Sequence, residues 1–309
     1  MTALQAVATY LPKQRVPVAK RGAELGLTRM QVRLFERYHE LAEVALDPDR
    51  ELRDLLLAAV DNLDELRGQE HRVKYVLHAR SFPVVVPYPA NPLHELCERV
   101  GLSHACAFAV NHHACATGLL ALEVAGRLLA ADGDPEGLAL VLAGEKAFTR
   151  DAKLVPETTI FAEGAAACLV SATGARDRML AYAANLRGDF DDELAYDPGR
   201  YQQEYPSALA DAIHAAVREA GLDLDDIELI LPHNVNALVW RKLCRRIGFP
   251  AERVLLENVP RFGHVFCADA FINYQTAYQG GRLKPGSRYL IAAAGAGRGA
   301  TFSAMVFEH

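Results

Sequence analysis

Short runs at residues 4 to 10, 73 to 77, 105 to 110, 138 to 143 and 165 to 170 are strand-like in length and apolar content. Between them Leu52, Leu55, Leu56, Val60 and Leu63 recur on one helical face within residues 50 to 66, and a second helix is predicted over 117 to 131. Residues 11 to 50 keep no sustained period and read as irregular, and 145 to 163 read as a loop. The same rhythm then returns: helices at 207 to 220, 236 to 247 and 268 to 279 alternate with strands at 227 to 231, 253 to 257, 288 to 293 and 300 to 307. Strands alternating with helices predict an α/β protein with largely parallel sheets and crossover helices.

The helix after Cys115 is apolar nearly all round. From Leu119 to Ala131 its charged residues are Glu123 and Arg127, an i,i+4 pair on one stripe, so it is expected between layers. The two stretches also share motifs. Leu96-Cys97-Glu98-Arg99-Val100-Gly101 returns as Leu243-Cys244-Arg245-Arg246-Ile247-Gly248, and His112-x-x-Cys115-Ala116 returns as His264-x-x-Cys267-Ala268. Strand ends at His78 and His233, and at Gly144 and Gly295, pair in the same order, all 147 to 155 residues apart. This spacing predicts a duplicated α/β unit of about 150 residues. The first half is taken as 1 to 184 and the second as 185 to 309, joined by a charged segment at 185 to 205 that holds Asp189, Asp191, Asp192, Glu193, Asp197, Pro198 and Gly199.

Composition narrows the class. At 309 residues, with 51% hydrophobic and 23% charged residues, the chain is long enough for two cores. A net charge of −6 argues against a general nucleic-acid binder, which needs concentrated basic surface. The N-terminus has no basic segment before an apolar core, and no apolar run reaches membrane-spanning length, so no export or membrane anchorage is expected. The six cysteines, in apolar segments without a compact framework, read as reduced thiols of a cytoplasmic protein.

Cys115 falls where a strand turns into the buried helix, followed by small residues Ala116, Thr117 and Gly118. A helix N-terminus favours a thiolate, and its free N–H groups suit an oxyanion; the competing reading is a buried structural thiol. His233 and His264 are predicted at the carboxyl ends of strands, where functional groups of α/β sheets gather. Asp269, five residues beyond His264, is placed either to orient a histidine or simply to favour its helix N-terminus. His112, Cys115, His264 and Cys267 also read as four zinc ligands, with His113 a fifth donor. Each pair straddles a strand-to-helix junction instead of a turn, so no metal is expected. Arg241, Lys242, Arg245 and Arg246 form a basic cluster, either a solvated face or a docking surface for phosphates or an acidic carrier. Gly295-Ala296-Gly297-Arg298-Gly299 precedes a strand instead of opening a helix and is no dinucleotide fingerprint.

Five segments together resemble the thiolase superfamily, and within it the β-ketoacyl-acyl-carrier-protein synthase III group: Ala114-Cys115-Ala116, Phe161-Ala162-Glu163-Gly164-Ala165-Ala166, Pro232-His233-Asn234-Val235-Asn236, Arg261-Phe262-Gly263-His264, and Gly295 to Gly299. The resemblance implies a layered αβαβα fold and a homodimer. It also implies an acyl group carried on Cys115 as a thioester from coenzyme A or an acyl carrier protein, with no permanently bound cofactor. Cys115 with Ala296 and Gly297 would form the oxyanion hole, and His233 would act as a neutral donor. Two positions depart from the group's pattern. His264 stands where it usually has asparagine, and Ala294 where it often has a bulky aromatic. Those departures leave open decarboxylative condensation and simple acyl transfer to an alcohol or amine, with a non-catalytic or zinc-binding protein as the alternative of another class.

Overall fold

The computed structural model describes residues 2 to 146, 152 to 188, 198 to 296 and 300 to 309. Its first half contains β1 (Ala3–Tyr10), β2 (Arg15–Pro17), α1 (Val18–Glu24), α2 (Arg29–Arg37), β3 (Glu43–Ala45), α3 (Leu52–Asp61), β4 (Val73–Ala79), α4 (Pro92–Arg99), β5 (Cys106–Val110), α5 (Thr117–Asp132), β6 (Leu138–Glu145), β7 (Leu154–Val155), β8 (Thr159–Ile160) and β9 (Gly164–Ser171). Then come β10 (Arg178–Arg187), α6 (Pro198–Glu219), β11 (Leu229–Pro232), α7 (Ala237–Ile247), α8 (Val259–Phe262), α9 (Asp269–Gln279), β12 (Arg288–Gly295) and β13 (Ala300–Glu308).

The strand order β11-β12-β13-β10-β1-β9-β6-β4-β5 shows the duplication directly. Five strands, β5-β4-β6-β9-β1, belong to the first half, and β11-β12-β13-β10 repeat the last four of them. The two sets meet at the single pair Ala3 and Arg178. Helices α3 and α4 cover the outer face of the first sheet, α6 and α7 that of the second, and α5 and α9 lie between, each touching strands of both halves. Three separate apolar clusters fill the spaces between these five layers. The αβαβα arrangement implied by the sequence is therefore the observed one.

Helix α5 with its preceding turn, Ala114–Asp132, is long and apolar enough to cross a membrane by composition, but its contacts are with the sheets on either side. An all-round apolar helix needs apolar neighbours on every side, and the middle layer supplies them. The six cysteines are unpaired.

Four expectations are corrected. The sheets are mixed: β4, β5 and β6 are mutually parallel, as are β11 and β12, while β9, β1, β13 and β10 run antiparallel to their neighbours. Helices α4 and α5 carry the crossovers of the first half, but among the described residues no helix stands between β6 and β9 or between β12 and β13, and such returns are antiparallel. Residues 253 to 257 form no strand. A 3-10 turn occupies Ala251–Arg253, leaving one bridge from Val254 to Ile230 at the sheet edge. Residues 11 to 50 are structured, with α2 held by a Thr28 and Gln31 capping box that the Thr-x-x-Gln spacing announces. The boundary expected at 184/185 cuts β10, which pairs along its length with β13 and so belongs to the second sheet. Of the predicted linker, residues 189 to 197 lie outside the described residues, and Pro198 already opens α6.

Candidate active site

The duplicated His-x-x-Cys-Ala motifs meet where α5 and α9 start. Cys115 and Cys267 each sit in a one-turn 3-10 segment leading into its helix. The residue before each, Ala114 at φ 44° and Phe266 at φ 50°, holds a left-handed conformation that non-glycine residues avoid. Strain repeated at the repeated position aims both thiols inward. A Cβ on Gly118, in the first turn of α5, would stand 2.9 Å from the Cys267 carbonyl oxygen, so its absence lets the two helix starts cross closely.

Cys115 is 8% exposed, and its Sγ lies 3.2 Å from His264 Nε2. On the other side of that ring, His264 Nδ1 bonds the Asp269 carboxylate. Asp269 is fully buried and also accepts from Val265 N at 2.7 Å, Asn234 N at 2.6 Å and Asn234 Nδ2 at 3.3 Å. Two carboxylate oxygens accept about four hydrogen bonds, so this acceptor capacity is used up and the carboxylate is locked. An ionised carboxylate only accepts, so Nδ1 carries the proton and Nε2 faces the sulfur. Burial opposes charge on His264, but Asp269 and Cys115 outweigh it and lift its pKa to about 10.

His233 has the opposite character. It ends β11, and its Nδ1 accepts the Ala294 N–H at 3.1 Å, which leaves the ring proton on Nε2, 2.7 Å from Tyr205 Oη. Burial, with the neighbouring His264 charge, holds its pKa down to about 3. The sign follows from the lowered value: the neutral ring contributes stability above its unfolded pKa near 6.5, and this is lost as pH falls through 3. Unfolding measured from pH 7 to pH 3 is expected to show the wild type losing up to about 1.4 kcal/mol per pH unit relative to His233→Gln. Parallel pH profiles of the two proteins would refute a neutral buried ring.

The expected residues distribute as follows. Cys115, His264 and Ala296 line one chamber of about 30 Å3, with Phe161, Tyr201, Tyr205, Val235 and Ala294 among its other walls. His233 backs it through Tyr205 and Ala294. Gly297, the other expected oxyanion position, lies outside the described residues, as do Arg298 and Gly299. Of the basic cluster, Arg241 pairs with Glu40, Lys242 lines a second cavity of about 110 Å3, and Arg245 and Arg246 are exposed on the last turn of α7. The zinc alternative finds no set of ligands: among the described residues no three His, Cys, Asp or Glu side chains gather for a metal, and the Cys267 thiol donates to the Ala114 carbonyl at 3.3 Å.

Sequence reasoning missed several partners. Ser81 Oγ stands 3.6 Å from Cys115 Sγ and 3.4 Å from Cys267 Sγ. Its N–H and that of Phe82 are held by Glu145, at 2.7 and 2.9 Å. Burial pushes the Glu145 carboxyl up to about 7. Asn273 ties Asn234 Oδ1 and the Pro232 carbonyl at 2.8 and 2.6 Å. Tyr205 fell in the segment read as a linker. Polar residues at 273 and 145 inside apolar elements were the available signal, since buried polar groups demand partners.

The similarities found for the chain agree with this layout. A family model described as the 3-oxoacyl-[acyl-carrier-protein] synthase III C terminal matches residues 217 to 309. The beta-ketoacyl-[acyl-carrier-protein] synthase III of Rhizorhabdus wittichii is 29% identical over 216 residues, which cover 64% of this chain and 66% of that protein, just under two thirds of its length. In sequence the chain is thus similar to synthase III proteins over part of its length. Solved structures reproduce the thiolase-like fold end to end. The synthase III of Thermus thermophilus superposes with a TM-score of 0.83 at 21% identity, covering 99% of both chains. ChlB3, described as an acyltransferase, superposes at 0.85 with 20% identity, covering 99% of this chain and 97% of its own.

Proposed function

We propose that this thiolase-like protein is an acyltransferase that carries an acyl group on Cys115 and passes it to an alcohol or amine without forming a carbon-carbon bond. The observation that carries the reading is the line from Cys115 Sγ through His264 to Asp269. Cys115 gives its proton to His264 Nε2, and the sulfur attacks the carbonyl of a coenzyme A or carrier-protein thioester. The bond to the donor sulfur breaks, and the departing thiolate takes the proton from His264. In the second half His264 takes the acceptor's proton as its oxygen or nitrogen attacks, and Cys115 leaves as thiolate. The backbone N–H groups of Cys115 and of the 296 to 297 loop are the expected oxyanion donors. Asp269 stabilises the imidazolium formed in both halves.

A decarboxylative condensation, the synthase III outcome, is the second reading. It is favoured by the two histidine rings lying side by side, 5.9 Å between centroids. Two neutral donors aimed at one carbonyl would serve an enolate, but His264 commits its Nδ1 proton to Asp269, which leaves Nε2 toward the sulfur as an acceptor, and His233 Nε2 is engaged by Tyr205. That difference supports transfer over condensation. The resemblance to the synthase III group further implies a homodimer, a cytoplasmic setting, and docking of the phosphates of coenzyme A or of an acidic carrier protein near Lys242, with Arg245 and Arg246 beside it.

Incubation with acetyl-, butyryl- and octanoyl-coenzyme A followed by intact mass spectrometry is expected to give an acyl adduct on the wild type and none on Cys115→Ala. No adduct, or one surviving the substitution, overturns the reading. With malonyl-coenzyme A present, carbon dioxide release would return the choice to condensation.

A further inference from the structure

Tyr205 occupies a position that the reaction outlined above does not use. It lies on α6 just before Pro206, which has no N–H to bond back to the Gln202 carbonyl. Its ring borders both cavities: the inner chamber with Cys115 and His264, and the outer one with Gln202, Asn236 and Lys242. The two cavities share Thr158, Tyr201 and Val235 with it as common walls.

Its hydrogen-bond polarity is set by its neighbours. Ala294 N–H occupies His233 Nδ1, so the neutral ring has its proton on Nε2 and donates it to Tyr205 Oη at 2.7 Å. The backbone around that ring is held in turn, His233 N donating to the Ala292 carbonyl at 3.1 Å and Trp240 Nε1 to the His233 carbonyl at 2.9 Å. A phenol that accepts one hydrogen bond must send its own O–H elsewhere. Among the described residues Tyr205 Oη has no further partner. Burial, and then the Cys115 charge, push its pKa well above 10, so the hydroxyl stays protonated beside the nucleophile.

We propose that Tyr205 donates its O–H to the carbonyl oxygen of the substrate thioester as a side-chain oxyanion donor, and that His233 is the positioning residue which orients that hydroxyl. The inference rests on the acyl-transfer reading and deepens it. No proton is transferred at this contact. When Cys115 sulfur bonds the carbonyl carbon, the carbonyl electron pair moves onto oxygen and the Tyr205 hydrogen bond strengthens. When the donor sulfur leaves, the pair returns and the bond relaxes. A donor whose bond strengthens only as charge develops lowers the barrier and not merely the substrate's binding energy.

The test compares two reactions of the same sulfur. Acylation by butyryl-coenzyme A develops an oxyanion; alkylation by iodoacetamide displaces iodide at carbon and develops none. Tyr205→Phe is expected to slow acylation about 100-fold, while alkylation stays within about twofold of wild type. His233→Ala, which leaves the hydroxyl in place but unoriented, is expected to slow acylation less, again sparing alkylation, and it carries the test if Tyr205→Phe does not fold. Unchanged acylation in Tyr205→Phe overturns the proposal, and a parallel fall in alkylation by a folded variant assigns Tyr205 a structural role instead. Failure of the wild type to form any acyl adduct overturns the acyl-transfer reading and this inference with it, whereas an adduct formed equally fast by both variants overturns this inference alone.

Discussion

Asp269→Asn is expected to slow transfer through Cys115 by about a thousandfold or more while leaving a folded protein. The asparagine is nearly the same size but replaces an acceptor oxygen with a donor. The site now presents Val265 N, Asn234 N, Asn234 Nδ2 and His264 Nδ1 to one carboxylate, and all of them donate. With an amide, a donor must face a donor, or the His264 ring must take the other tautomer and place a proton on Nε2, against the sulfur. Either way the base toward Cys115 is lost.

The same substitution changes the pH response of stability. The raised His264 pKa contributes stability that is fully present below the unfolded value of 6.5 and is lost as pH rises through about 10. The difference in unfolding free energy between wild type and Asp269→Asn is therefore expected to shrink between pH 6.5 and 10. Single-turnover acylation and chemical denaturation across that range check both parts. Acylation within about tenfold of wild type would show that Asp269 serves only as a first-turn acid of α9.

Gly295→Ala is expected to disable the site from the far side of the chain. A Cβ there would stand 2.3 Å from the His113 carbonyl oxygen and 2.8 Å from the Ala114 Cβ, with no flexible side-chain tip to move aside. The end of β12 and the turn carrying Cys115 must separate, and the residue before Cys115 is already in a strained conformation. Overpacking of this kind costs about 1 to 3 kcal/mol, and a displacement of about 1 Å at the nucleophile costs about a hundredfold in rate. Denaturant unfolding and acyl-adduct formation are expected to fall together. Normal acylation would show that the strand end yields freely.

The resemblance to the synthase III group was carried by short motifs, and most of these fall at strand ends. His233 and Gly295 end strands and Cys115 lies just beyond one, but His264 follows α8 and not the strand expected before it, so only the repeated His-x-x-Cys-Ala motif pointed to it. The element pattern was legible wherever burial imposes a continuous apolar run, as in α5, β6 and β12. It failed at residues 11 to 50, where α1 and α2 lie near the surface with few buried residues, and at 253 to 257, where an edge segment makes one bridge. The mixed direction of the strands was not readable, since a run of apolar residues has no sense of direction.

Sequence by itself determined the duplication and the middle-layer helix and singled out Cys115, His233 and His264 as candidates, because each depends on residue type and on spacing along one chain. Tertiary structure decided how they are connected. It joined Asp269 to His264 and Asn234, turned His233 toward Tyr205, and brought Ser81 and Glu145 beside the two cysteines. Those choices depend on hydrogen-bond direction between residues as much as 186 positions apart, and local sequence carries no information about which distant donor will meet which acceptor.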